Sequence, residues 1–276
     1  MMMVAAAETQ EYPLDAGELD VIEIAGLFGL IAFVVASMVV GARILLLAAK
    51  TRLFPETTVG LSLFLAGGVG TALLIVPLFL PESQTQAGYV FYQFGSAISH
   101  VGFGLLFFFV WRVFRREETW AAILYGLCTT GLLVGGMGIA VELQPEQILS
   151  GRSAPNNIWF WMSLSARFVG YGWAAIESFR YYGMLKKRLE LGLAEASVVS
   201  RFFYWGVCVS AVVCIWVNMA AQQVIADDPA VQASSHLVSA VLGFVVAGSL
   251  WVAFFPRASR IVASSVDDHA GQEYSS

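Results

Sequence analysis

Of the 15 Lys and Arg residues in this 276-residue chain, 13 fall at the same end of seven consecutive apolar runs. That periodic placement of charge limits the chain to a helical membrane protein. The runs cover residues 24–49, 59–80, 89–111, 120–141, 158–176, 202–221 and 237–255, each near the roughly 20 residues that a helix needs to cross about 30 Å of hydrocarbon. Only helices and closed barrels satisfy every backbone group in lipid, and these runs are too long for barrel strands. The expected fold class is all-α, a polytopic seven-transmembrane-helix bundle.

The loops orient it. Arg43, Lys50 and Arg52 follow run 1, Arg112, Arg115 and Arg116 follow run 3, Arg180, Lys186, Lys187, Arg188 and Arg201 separate runs 5 and 6, and Arg257 and Arg260 follow run 7. The positive-inside rule makes that side cytoplasmic, with the N-terminus outside and the C-terminus cytoplasmic. Glu8, Glu11, Asp15, Glu18, Asp20, Glu82, Asp227 and Asp228 then lie outside, with Arg152 as the basic exception. The expected organisation is an acidic extracytoplasmic segment over 1–22, a transmembrane domain over 23–258 and a short polar cytoplasmic tail over 259–276. Residues 1–7 lack the basic start and apolar core of a cleavable leader. The tail is too short for a signalling domain, so any output requires a separate partner.

Glycines at Gly67, Gly68 and Gly70, at Gly131, Gly135 and Gly138, and at Gly170 and Gly172 predict close helix contacts. Pro55 and Glu56 suit the first turn of a helix, and Pro77 predicts a kink. Leu185, Leu189 and Leu193 among the charges of 184–200 predict that the fifth and sixth helices extend beyond the hydrocarbon. Trp159, Trp161, Trp205, Trp216 and Trp251 read equally as interface anchors or as ligand walls. Cys128, Cys208 and Cys214 lie inside apolar runs and read as small core hydrophobes.

Arg167 is the most informative side chain. It lies near the middle of its run, where an arginine costs about 2.5–3.5 kcal/mol to insert, so it must face the bundle interior. Its helical stripe carries Asn156, Phe160, Ser163, Gly170, Tyr171, Ala174 and Ser178. Glu177 is about 80° round and about 15 Å along the axis, and so offers no close carboxylate. Neutral groups at similar depth are His100, with Ser96 and Gln93 one and two turns outward, and Asn218 with Gln222 on the sixth run. A guanidinium without a carboxylate takes carbonyls, water or an anion. Two readings stand. In one, Arg167, His100, Ser163, Gln93, Ser96, Asn218 and Tyr171 line an outer-half pocket for an acidic, partly apolar ligand. In the other, Arg167 is structural, bonded to carbonyls or reaching toward Glu142 or Glu23.

Ser96-x-x-x-His100 resembles one element of the seven-helix zinc hydrolases that include alkaline ceramidases and adiponectin-type receptors. Those families add histidines in their last helix and an intramembrane aspartate, whereas here run 7 is preceded by His236 and has Ala240 where a second histidine would fall. Three zinc ligands are not assembled. His236 lies about 15 Å outward of His100, too far for a bis-histidine haem. The seven-helix plan with its N-terminus outside resembles microbial rhodopsins and G-protein-coupled receptors. A retinal Schiff base needs an intramembrane lysine, and Lys50, Lys186 and Lys187 are all in loops. No acidic residue precedes Arg115 and Arg116 in the receptor manner, and a carboxylate relay for proton pumping is missing.

The expected function is therefore a receptor-like, ligand-binding protein of the plasma (inner) membrane. It would read a small acidic or lipid-like ligand out to a cytoplasmic or membrane protein partner. The alternative is an accessory or scaffold subunit of a membrane complex. A small-solute transporter ranks third, because Pro77 has no counterpart in the sixth run to make the paired helix breaks of that class. No catalytic cluster or nucleic-acid-binding feature emerges; the missing intramembrane lysine excludes covalent retinal and leaves a noncovalent pigment open, so the cofactor is unknown from the sequence alone.

Overall fold

The computed structural model describes residues 21–142, 157–225 and 229–255, and all regular structure among them is helical. The acidic N-terminal segment, Arg152, Asn156, the Asp227-Asp228 pair, Arg257, Arg260 and the tail lie outside the described residues.

The elements are α1 (Val21–Thr51), α2 (Phe54–Phe79), α3 (Thr85–Phe114), α4 (Thr119–Glu142), α5 (Ile158–Glu190), α6 (Ala196–Ile225) and α7 (Pro229–Phe254). Six of them are long and apolar enough to cross a membrane: Ile24–Thr51, Phe54–Phe79, Thr85–Phe114, Thr119–Glu142, Ala196–Ile225 and Ser234–Phe254. The protein is thus a multi-pass integral membrane protein. The remaining element, α5, has 33 residues and reaches about 50 Å, but Arg167, Glu177 and Arg180 lower its apolar character. Large apolar side chains such as Phe28, Leu46, Leu78, Leu127 and Val141 stand on the outside of the bundle, as a lipid-facing surface requires.

Each helix packs on the next, α7 closes onto α1, and α3 also touches α5 across the ring. Phe107, Val40, Val110, Leu132, Val209, Val246 and Leu250 fill the centre. At Gly102 the backbones of α3 and α2 approach so closely that an added Cβ would lie 2.5 Å from the Ala66 nitrogen. Gly172, by contrast, faces open space, so its expected role as a packing residue is corrected. Cys128 and Cys208 are buried, but Cys214 is exposed and is a surface residue rather than a core hydrophobe.

Helix ends follow local chemistry. Pro55 sits in the first turn of α2. Asn157 caps α5 by accepting a 2.8 Å hydrogen bond from the Phe160 N–H. The same helix ends at Gly192, whose φ is 71°. There the Gly192 N–H donates to the Leu189 carbonyl at 2.9 Å and the Leu193 N–H to the Arg188 carbonyl at 2.8 Å, the paired pattern of a Schellman motif. Both α5 and α6 do extend past their apolar runs, leaving only residues 191–195 between them.

In α2 the structure departs most from expectation. The helix is α over Phe54–Ser62, π over Leu63–Gly70, α over Thr71–Ile75 and 3₁₀ over Val76–Phe79. Pro77 tightens the last turns into 3₁₀ form, and the π segment one to two turns earlier is an additional break. Thr71 donates to the carbonyl of Ala66, five residues back, through its backbone N–H and again through Oγ1 at 2.8 Å, the i→i+5 spacing of the widened ladder.

Candidate functional site

The site begins on α3. His100 is buried, and its Nδ1 lies 2.5 Å from the Ser96 carbonyl oxygen, with Ser96 Oγ 3.3 Å away. A carbonyl can only accept, so Nδ1 carries the proton. Nε2 faces Nη2 of Arg167 on α5 at 3.2 Å. A guanidinium can only donate, so Nε2 is the acceptor and the imidazole is neutral. Ser163 Oγ, one turn before Arg167 on α5, stands 3.4 Å from the same nitrogen. From α4, Gly136 lets the backbone close over the ring: an added Cβ there would lie 3.1 Å from His100.

The rest of the guanidinium environment is aromatic. Its Cζ lies 5.5 Å from the Phe103 ring centroid and 5.1 Å from that of Trp216. Tyr171 meets the Phe103 ring edge-on at 5.7 Å and that of Trp216 at 6.5 Å. Arg167 makes no ion pair with any described residue. It keeps part of its surface accessible, yet its Nε is fully enclosed and has no hydrogen-bond partner. Cation–π contacts contribute about 0.5–2 kcal/mol each. An enclosed N–H without a partner costs about 1–3 kcal/mol, similar in size to the two cation–π contacts together.

Beside this cluster lies an internal cavity of about 80 Å³, several times the 10–15 Å³ that one water needs. Phe33, Ala66, Phe103, Leu106, Val246 and Leu250 contribute to its walls, as do Trp205, Trp216 and Tyr171. Its polar lining comes from Ser62, Thr71, Tyr171 and Cys208. Trp216 Nε1 is enclosed and unpartnered. Leu106, Trp205 and Leu250 carry the cavity wall toward the basic end of the bundle, and Phe33 and Thr71 carry it the other way. Trp205 and Trp216 are accordingly cavity walls, whereas Trp251 is half exposed and stacks on Phe255 at 4.2 Å.

The expected site residues separate into two groups. Arg167, His100, Ser163, Ser96 and Tyr171 are brought together. Asn218 is elsewhere: its Nδ2 donates to the Ser235 carbonyl at 3.0 Å and to Ser239 Oγ at 2.8 Å, while its Oδ1 accepts from Ser235 Oγ at 2.8 Å. Gln222 also bonds Ser235, so these amides clasp α6 to α7. Gln93 has an enclosed Nε2 without a partner and no bond to Arg167. Glu142 is exposed at the end of α4 and makes no ion pair with Arg167. Among the described residues no three His, Cys, Asp or Glu side chains converge.

Two features were not anticipated. Phe103 and Trp216 are the principal neighbours of Arg167, although Phe103, three residues past His100 on α3, lies within reach of the same face. Glu177 is buried and pairs with Arg115 at 2.8 Å, although Arg115 reads in the sequence as one more loop cation. No family model matches the chain, and neither a curated protein nor a solved structure does so.

Proposed function

We propose that the chain is a seven-span protein of the plasma (inner) membrane, its N-terminus outside, that holds a small acidic, partly apolar ligand within the bundle. The place of α5 in the ring, between α4 and α6, supports counting it as the seventh span. The charge asymmetry of the loops supports the orientation. One observation carries the ligand reading: an arginine with an enclosed, unpartnered Nε and no carboxylate partner among the described residues shares Phe103 and Trp216 with an adjacent aromatic cavity, and Trp216 Nε1 is itself enclosed without a partner. Both groups can only donate, so they select an acceptor-rich anion, whose apolar part would enter the cavity. A separate protein would read the bound state at the basic end.

A scaffold or accessory-subunit role is the second reading. It is favoured by the His100 bond and the two flanking rings, which already hold Arg167 in place. A transporter gains less support, since α6 is continuous and, among the described residues, only α2 carries breaks.

The test is purification in mild detergent, denaturation, and mass spectrometry of released small molecules from the parent chain and from Arg167→Leu and Arg167→Lys. The ligand reading expects an acidic compound from the parent, less from Arg167→Lys, which lacks the planar fork, and none from a folded Arg167→Leu. If the parent releases nothing and Arg167→Leu unfolds, Arg167 is structural and the scaffold reading replaces this one.

A further inference from the structure

A second site lies at the basic end of the bundle, where α3 stops and α5 continues. An open groove of about 350 Å³ runs between them. Val113, Phe114 and Arg115 line it from α3 and Glu177, Arg180, Tyr181 and Met184 from α5, so that apolar surface from Val113, Phe114 and Met184 lies in the same groove as the charged groups. The charges are not equivalent. Arg115 donates through Nε to Glu177 Oε1 at 2.8 Å and through Nη2 to Oε2 at 3.3 Å, so that pair is internally neutralised. Arg180 is exposed and makes no ion pair with any described residue. The groove thus presents one free guanidinium, held beside a locked ion pair, immediately next to an apolar surface.

From this juxtaposition we infer that the groove binds an anionic phospholipid of the surrounding bilayer, its phosphate on Arg180 and the start of an acyl chain against Phe114 and Met184. Three observations select a lipid over a soluble anion or an acidic peptide. The groove straddles Phe114, the last residue of the apolar α3 span, at the basic end of the bundle. Its apolar surface would remain exposed beneath a bare phosphate. Further cations at the same end, Arg112, Arg116, Lys186, Lys187 and Arg188, attract anionic lipid generally, but none of them lines the groove, where Arg180 stands beside the paired Arg115. This inference is independent of the Arg167 reading.

The experiment is native mass spectrometry of the full chain, titrated with phosphatidylglycerol or phosphatidylcholine in detergent. Parent chain, Arg180→Gln, Met184→Asp and Lys187→Gln are compared. Phosphatidylglycerol should bind the parent in preference to phosphatidylcholine. Arg180→Gln should weaken it by about fivefold to tenfold, the effect of one cation at a lipid surface. Met184→Asp, which sets a carboxylate in the groove, should weaken it at least as much. Lys187→Gln, outside the groove, should leave it within about twofold. The proposal is overturned if both lipids bind alike, or if Lys187→Gln matches Arg180→Gln, which would mean diffuse surface attraction. It is equally overturned if glycerol phosphate competes as well as the lipid, or if a polyglutamate peptide shows the Arg180 dependence and phosphatidylglycerol does not.

Discussion

The Arg115–Glu177 pair makes an asymmetric prediction, because its two members are unequally exposed. The Glu177 side chain keeps 7% of its surface and that of Arg115 keeps 21%. Arg115→Gln therefore leaves a buried carboxylate without its hydrogen-bonded partner. Breaking a buried pair in this way costs about 3–5 kcal/mol; partial exposure of the arginine places the expected loss at the lower end, about 3 kcal/mol. Glu177→Gln leaves a cation that can turn toward water and an amide oxygen that still accepts one bond, so the expected loss is about 1 kcal/mol. The hydrogen bond to Glu177 raises the Arg115 pKa further above its ordinary value, so the cation persists at any pH at which the protein is handled.

The decisive comparison is the double variant. Arg115→Gln with Glu177→Gln buries no charge and joins two amides, so it should be more stable than Arg115→Gln alone by about 1–2 kcal/mol. Reversible unfolding of detergent-solubilised protein, followed by far-ultraviolet circular dichroism over a titration with sodium dodecyl sulfate, measures all four forms. Equal losses in the two single variants, or additive losses in the double variant, would refute the account: the pair would then be a solvated surface contact of the kind worth under about 1 kcal/mol.

Other outcomes follow from packing and topology. Gly102→Ala should destabilise the bundle by about 1–3 kcal/mol, since its Cβ meets the Ala66 backbone, while Gly172→Ala should be neutral or slightly stabilising; the same unfolding titration compares them. Asn218→Ala should loosen α6 from α7 by about 1–3 kcal/mol, because Ser235 and Ser239 lose their shared partner, and it should leave ligand release unchanged. A cysteine at Asp15 should react with an impermeant maleimide on intact cells while Ser276→Cys does not; the reverse pattern would invert the proposed orientation.

What the sequence makes legible, and what it does not, divides along physical lines. The membrane helices are legible because lipid demands long apolar runs, and Arg167 is legible because a charge in such a run is costly. The end of α5 could be read from Gly192, the only residue near it suited to a left-handed turn. The π segment of α2 is not legible, because an i→i+5 ladder is selected by neighbours in three dimensions, among them Ser37 and Met38 of α1 and Ser99 of α3. Nor is the role of Trp216, since an aromatic ring in a membrane helix has the same sequence appearance against lipid as against a guanidinium. Asn218 was misplaced for a related reason: depth alone aligned it with Arg167, whereas its actual partners are serines directed across the α6–α7 seam.

The Arg115–Glu177 pair is the instructive intermediate case. Nothing local joins residues 62 apart, and a count of loop charges places Arg115 with the unpaired cations. Yet α3 and α5 run in the same direction, and His100 touches Ser163 across them. Moving along each helix from that one contact, 15 residues on α3 and 14 on α5 bring Arg115 and Glu177 to a common level, at about 1.5 Å of rise per residue. A single interhelical contact therefore carries the register for the whole interface. The same step also places Phe107 beside Gly170, as found. In a bundle of nearly parallel rods, the hard information is one contact per helix pair; after that, depth counting identifies the buried ion pair and, with it, leaves Arg180 as the free cation of the groove.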